Sequence, residues 1–404
     1  MKGNRKVHYA WVICAGCTLL LFCTGGLSVT AFSAYLPYLG SLRGLQQTQI
    51  SILTFVRTLL GVFGMVLSNR LMHKLEIRRV ITAALVGSAA SFAIYGLADS
   101  YAGYLIAASC AGFFYGIGSM IAVSILITRW FNAHRGIALG ICMASTGVST
   151  FLVSPVITMM VENISLQFSL LVEAVFDLAA AVIVWLVVRS QPSCLDMEPL
   201  GEEGEHSKKT YAQHTAKKSL YLAMLAGLLF LGAAANNIST YLSVLYQSVG
   251  MKSFQISALV SLFGISLAAG KLLYGALSDK IGVFRACMLL FGVFIFGACI
   301  CCMARVTGFL LSGIGVSMIG FGCALASVAT STYASETASE EDYSRVVSSF
   351  QTTQTTGGLL FATIPGILAD RTKDYILPYI IMLVFILVSA VVLQSTYLKI
   401  KHEY

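Results

Sequence analysis

Arg135-Gly-Ile-Ala-Leu-Gly140-Ile-Cys-Met-Ala-Ser-Thr-Gly147-Val-Ser-Thr-Phe-Leu-Val-Ser-Pro155 is an apolar run opened by one cation, and Arg345, Gly357 and Pro365 repeat its arginine, glycine and proline 210 positions later. Other pairs keep the same order. Lys74 and Arg79 stand 206 positions before Lys280 and Arg285, and Gly116-Ile-Gly118 is matched by Gly320-Phe-Gly322. Three pairs in one order point to a duplicated unit rather than to shared composition.

Outward from that repeat, the composition suits a bilayer. The 404 residues are 57% hydrophobic and 11% charged, with a mean hydropathy of +0.82, more apolar than a soluble chain can hide from water. Stretches able to cross a hydrocarbon core of about 30 Å predict helices over 9–32, 47–69, 79–98, 102–127, 135–159, 165–188, 219–246, 253–277, 284–304, 307–332, 344–368 and 375–397. The long polar break from Arg189 to Ser219 divides the chain into a six-helix unit over 1–189, a cytoplasmic linker over 190–218 and a second six-helix unit over 219–404. The expected fold is an all-α polytopic membrane protein of twelve transmembrane helices in two pseudo-symmetric bundles.

With the first residues on the cytoplasmic side, nineteen lysines and arginines fall in inner loops and tails and five in outer loops (Arg43, Lys252, Arg305, Arg371, Lys373). That bias obeys the positive-inside rule and places both termini in the cytoplasm, as expected of a multi-pass protein of the plasma membrane. Met1 to His8 is basic and leads into more than twenty apolar residues with no small-residue cleavage site, so it reads as the entry to a membrane helix.

Several function classes drop out. The net charge of +8 is spread over short loops, not gathered on one face, so nucleic acid is not an expected partner. Most of the eleven cysteines lie in apolar stretches, where a thiol packs as a small hydrophobe. Cys14 and Cys17 form a CxxC without a second ligand pair, and the six histidines fall at helix ends or in loops, so no metal site is expected. No cofactor and no catalytic residue is expected either, since neither a nucleophile–base pair at membrane depth nor a GxxxxGK[ST] loop occurs. Two similar bundles instead fit a carrier that rocks one half against the other around a midplane site. A transporter-fold sensor that binds solute without moving it stays open.

Gly275-Ala-Leu-Ser-Asp279-Lys280-Ile-Gly282, followed by Arg285, resembles the inter-helix signature of the major facilitator superfamily between helices 8 and 9. The resemblance covers essentially the whole chain. It implies that Asp279 accepts hydrogen bonds at a neighbouring helix N-terminus and pairs with basic residues, latching a cytoplasmic gate. The first-half loop, with Lys74, Arg78 and Arg79, departs from the pattern: His73 replaces the acid and Glu76 the late glycine. Either that latch is weaker or Glu76 supplies its charge. Arg129-Trp-Phe, then Arg135-Gly136-Ile-Ala-Leu-Gly140, resembles the helix 4–5 signature of the branch holding monocarboxylate transporters and oxalate/formate antiporters. Leu45-Gln-Gln-Thr48-Gln49 and Gly366-Ile-Leu-Ala-Asp370-Arg-Thr372-Lys-Asp-Tyr375 are similar to further segments of that branch.

Charges inside expected helices are functional candidates by default, because each costs about 2.5–3.5 kcal/mol to insert. Lys271 stands where the resembled carboxylate transporters carry a substrate-binding arginine, and its alternative is snorkelling to the inner headgroups. Arg57 lies roughly 15 Å into its helix; substrate, an acidic partner and backbone carbonyls all remain open, and a second cation in the cavity would favour a dicarboxylate. Glu173 and Asp177 share one helix face, as proton carriers or as structural partners of a cation such as Arg57. Leu267 occupies the place of the acid that often precedes the cation of the monocarboxylate branch. Gln351, Gln354, Asn236, Asn237 and Tyr241 add hydrogen-bonding capacity to the expected cavity, with interhelical packing as the alternative. Gln354 is neutral where the resembled oxalate antiporters carry a second cation.

The expected function is secondary active transport of a small organic anion, a monocarboxylate in the first instance, with a co-transported proton or an exchanged anion as the coupling partner and the monomer as the working unit. A dicarboxylate, a non-anionic solute and the sensor reading are the alternatives.

Overall fold

The computed structural model describes residues 8–132, 134–201, 217–339 and 342–403; within helices it leaves some side chains undescribed, among them His73, Arg135, Gly275 and Asp279. In chain order the helices are α1 (Tyr9–Arg43), α2 (Gln47–Lys74), α3 (Ile77–Leu97), α4 (Tyr101–Trp130), α5 (Arg135–Asn163) and α6 (Leu166–Val187). They are followed by α7 (Lys218–Thr240, carried on by Leu242–Ser248), α8 (Ser253–Ile281), α9 (Val283–Cys302), α10 (Phe309–Thr337), α11 (Tyr343–Leu360, carried on by Ile364–Thr372) and α12 (Ile376–Glu403).

Among the described residues, eleven of these helices are long and apolar enough to cross a bilayer. The helix expected over 344–368 is the exception. Its Gln351–Gly358 strip is polar, and the helix is interrupted before Pro365, which opens the Ile364–Thr372 segment, where a missing N–H costs nothing. The first helix, expected to stop near residue 32, runs on to Arg43 and stops at Gly44, whose φ of 68° ends the helix. Between, it leaves α geometry: Phe22–Thr30 winds as a wide π-type segment and Ala31–Tyr35 as a tight 3-10 turn. Departures of this kind re-aim backbone carbonyls away from the helix axis.

The duplication reappears in the packing. Helix α1 packs on α5 and α6, α2 on α4, and α3 on α4 and α6; six helices later, α7 packs on α11 and α12, α8 on α10, and α9 on α10 and α12. The halves meet where α5 lies along α8 and α2 along α11. Outward-facing side chains are large and apolar, Leu310 at 82% exposure among them, which a bilayer covers and water would not.

Beyond α6, part of the expected linker is fastened down. Trp130 Nε1 donates to the Arg189 carbonyl at 2.9 Å, and Leu200 pairs with Trp130 and Asn132 through backbone bonds of 2.9 Å.

Candidate functional site

Backbone contact between two glycines positions the cation on α8. A Cβ on Gly264 would stand 2.6 Å from the Phe151 nitrogen and 2.7 Å from the Gly147 carbonyl, and one on Gly147 would stand 2.7 Å from the Ala268 nitrogen. Helices α5 and α8 thus touch without side chains between them, as small residues allow in membranes. Two turns beyond Gly264, half-buried Lys271 donates to Thr146 Oγ1 at 2.8 Å and to the Met143 carbonyl at 3.3 Å, both on α5. It reaches across to the other half rather than along its own helix.

Arg57 sits on α2 at 6% exposure. Its Nη1 donates to the Ser28 carbonyl at 3.0 Å, from the π-wound stretch of α1, and its guanidinium lies 5.5 Å from the Phe32 ring centre. Tyr95, Tyr115 and Tyr241 surround it. Among the described residues neither Arg57 nor Lys271 forms an ion pair. Gly25 stands between their neighbourhoods: a Cβ there would lie 3.0 Å from the Thr146 methyl and 3.9 Å from the Tyr115 ring. Gly25 of α1 thus borders both the Thr146 that holds Lys271 and the Tyr115 beside Arg57.

The expected partnership of the acids with Arg57 is corrected. Glu173 Oε1 accepts from the Tyr35 hydroxyl at 2.9 Å, and that hydroxyl also meets Ser169 at 2.7 Å. Asp177 Oδ2 accepts from Ser88 at 2.5 Å. Each carboxyl keeps one buried oxygen without a hydrogen-bond partner, Glu173 Oε2 and Asp177 Oδ1. Neither touches the guanidinium, because α1, with Phe32 and Ser28, lies between.

Of the polar residues expected in the cavity, some serve as joints instead. Tyr241 is fully buried, and its hydroxyl is taken up by the Ala362 carbonyl at 2.7 Å and by Ser51 and Thr54 at 2.9 Å each, so it bridges α2, α7 and α11 and has no capacity left for a solute. Asn237 is turned onto the Ala233 carbonyl at 2.7 Å and the Gly358 carbonyl at 3.4 Å. Gln354 is buried, with its backbone carbonyl pressed on Gly232. Asn236 and Gln351 are exposed and keep their amides available.

A contact that the sequence does not join lies at the face opposite the linker. Asp370, at the end of α11, accepts from the backbone nitrogens of Gln47 at 3.2 Å and Thr48 at 2.8 Å, and from the Thr48 hydroxyl. Tyr375 donates to Gln47 Oε1 at 2.7 Å. The α7 extension adds Ser243 to the Ser33 carbonyl and Gln247 to the Pro37 carbonyl. A cleft of about 350 Å³ lined by Ser41, Gln247, Lys373 and Asp374 stands above this seam.

At the linker face, Gly282 ends α8 with φ 82°, a conformation that favours glycine, and Lys280 and Arg285 are exposed. The side chain of Asp279 and the position of Gly275 lie outside the described residues, as does the side chain of Arg135. Glu76 pairs with Arg79 within its own turn at 3.2 Å, Lys74 is exposed, and Arg78 stacks 4.1 Å from the Trp185 ring while donating to the Trp185 carbonyl at 2.7 Å. Arg129 donates to the Ser190 carbonyl at 3.4 Å. Gly136 has nothing within 4 Å of an added Cβ, and Gly140 has only Leu272 at 3.8 Å, so packing demands neither glycine. Thr146, Ser28, Ser88 and Gly25 were missed from sequence: small polar residues in an apolar helix carry no signal of their own.

Set against known proteins, the chain matches the family model described as Major Facilitator Superfamily over residues 18–234 and again over 222–403. It is similar to Monocarboxylate transporter 12 of Rattus norvegicus, 22% identical over 355 residues that cover 78% of this chain and 69% of that protein. The Homo sapiens protein of the same name is 23% identical over 332 residues, covering 73% and 62%. Among solved structures, the nucleoside transporter NupG superposes with a TM-score of 0.75 at 14% identity, covering 97% of this chain and 99% of that one. A bacterial homologue of the human lysosomal transporter Spinster, inward-facing and unoccupied, superposes at 0.71 and 14%, covering 98% and 99%. Both likenesses concern the fold.

Proposed function

We propose, on the premise that the chain belongs to the Major Facilitator Superfamily and is a multi-pass membrane transporter rather than an enzyme, that its cargo is a small monocarboxylate. One observation carries this reading: Lys271 and Arg57 place positive charge at membrane depth, and among the described residues both meet only neutral oxygens. An intramembrane cation without a counter-ion favours an anionic ligand. Lys271 is half-buried and offers a point charge, whereas Arg57 is closed in by Phe32 and Ser28. A single accessible cation favours one carboxylate over two, and the names of the relatives agree. Asn236 and Gln351 would orient the rest of the solute.

The units over 1–189 and 219–404 would rock about the seam that holds Lys271, joined by the segment 190–218, with both termini cytoplasmic in the plasma membrane and one chain sufficient. The test is thermal unfolding of the purified protein with mono- and dicarboxylates, nucleosides, sugars and cationic drugs, for wild type and Lys271→Ala. Ligand at 100 times its dissociation constant adds about 2.7 kcal/mol to stability. Monocarboxylate-selective stabilisation lost in the variant is the expected outcome; stabilisation by neutral or cationic solutes alone overturns the reading.

A further inference from the structure

A chain of hydroxyls runs from the buried acid of α6 toward the cation of α2. Asp177 is fully buried. Ser88 of α3 donates to its Oδ2 at 2.5 Å, the Ser88 and Ser28 hydroxyls meet at 2.9 Å, and the Ser28 carbonyl accepts from Arg57 at 3.0 Å. Among the described residues Asp177 Oδ1 makes no hydrogen bond of good geometry, and the weakly donating Cys23 thiol of α1 stands beside the carboxyl. The remaining titratable groups around it are Cys23 and Tyr35 from α1 and Glu173 one turn away on α6, with Tyr95 of α3 beside Arg57. Arg78 stacks on Trp185 at the linker end of α6, roughly 12 Å along the axis from Asp177. Among the described residues no cation meets the carboxyl; a serine bridge stands where an ion pair would.

Buried polar atoms that lack partners call for a specific explanation. A buried carboxylate that meets no cation carries an uncompensated charge, which a proton removes. Two serines, each able to donate and accept, then let the protonation state of Asp177 be felt at the guanidinium through Ser28, whose backbone and hydroxyl belong to the re-aimed stretch of α1. Resting on the monocarboxylate reading, we infer that Asp177 is the carrier of a co-transported proton and that Ser88 and Ser28 couple it, through Arg57 and the re-aimed stretch of α1, to the anion site at Lys271. In the loading step the carboxylate takes a proton from hydronium, leaving water, and forms an O–H at Oδ1; in release the O–H breaks and the proton returns to water on the other side. Glu173, tied to Tyr35 and Ser169 and off this chain, is not the carrier.

Proteoliposomes containing the full chain separate the possibilities, using radiolabelled acetate, pyruvate and lactate as probes. Two assays are compared: accumulation driven by an imposed pH gradient, and counterflow against internal unlabelled probe with no gradient. Asp177→Asn and Ser88→Ala are expected to lose at least tenfold in gradient-driven accumulation while keeping counterflow; Glu173→Gln keeps both. Infrared difference spectra on changing pH give a readout that needs no cargo, a protonated-carboxyl band present in wild type and absent in Asp177→Asn. Gradient-driven accumulation that survives in Asp177→Asn, or that Ser88→Ala leaves unchanged, overturns the inference while the cargo reading stands. Absence of counterflow in wild type for every carboxylate overturns the cargo reading and this inference with it.

Discussion

Asp370 caps Thr48: a carboxylate at the end of α11 accepts both the backbone N–H and the hydroxyl of the second residue of α2, and its other oxygen takes the N–H of Gln47. The first turn of a helix carries unpaired N–H groups and a partial positive charge, so the second half of the chain supplies the cap that the first half needs. Replacing a capping side chain costs about 0.5–2 kcal/mol. Asp370→Ala, which removes both acceptors, is expected to shift the equilibrium away from the state in which α2 and α11 are joined by roughly 2- to 30-fold at that cost. Spin labels at Ser41 and Lys373, on the two walls of the cleft above the seam, report it as a longer distance population.

Tyr241→Phe removes one oxygen that serves three groups. Ser51, Thr54 and the Ala362 carbonyl all lie within 2.9 Å of it, and unsatisfied buried partners cost about 1–3 kcal/mol. Lower thermal stability with the ligand dependence of stability intact is expected. Lost ligand response with unchanged stability would restore Tyr241 to the solute site.

Gly264→Val tests the seam itself. Its side chain would meet the backbone of α5 at Phe151 and Gly147, and overpacking of this kind costs about 1–3 kcal/mol. The displaced α8 would also carry Lys271 away from Thr146, so transport should fall further than stability. Gly136→Ala is the control: nothing lies within 4 Å of the new methyl, and alanine in a helix leaves stability equal or higher by up to ~1 kcal/mol.

Thr146→Val isolates the hydroxyl that holds the ammonium at 2.8 Å. A net hydrogen bond is worth about 0.5–1.5 kcal/mol, so a change of roughly 2- to 13-fold in carboxylate affinity is expected on titration. An unchanged affinity would mean that Lys271 is placed by the Met143 carbonyl alone.

Much of the fold was legible because duplication and hydropathy both survive in a linear string: Arg135, Gly147 and Pro155 announce their second copies without any structure. The polar strip Gln351–Gly358 is visible in the sequence but the break of the eleventh helix before Pro365 is not, since a bilayer-length window averages its glutamines with the apolar residues that follow. The site was legible only at its charges. Arg57 and Lys271 stand out because ionised groups are costly in hydrocarbon, whereas Thr146 and Ser88 matter through distances across helices. Leu45–Gln49 and Gly366–Tyr375 were recognised as separate family segments; that Asp370 and Gln47 belong to one joint emerges only when α2 and α11 are laid side by side. Glycines misled in both directions: Gly136, part of a recognised signature, touches nothing, while Gly25, in none, stands where a side chain would fill the space between Tyr115 and Thr146.

An ammonium has three hydrogens, and at Lys271 two of them bind α5 of the opposite half. A carboxylate arriving there can use the third, or can displace Thr146 or the Met143 carbonyl and so replace a stitch across the interface with a stitch to itself. On the proposed function, cargo and interface are rivals for the same atom. By linkage the rivalry is reciprocal: any substitution that tightens the hold of α5 on Lys271 weakens the carrier's apparent grip on cargo by the same factor by which the cargo loosens that seam.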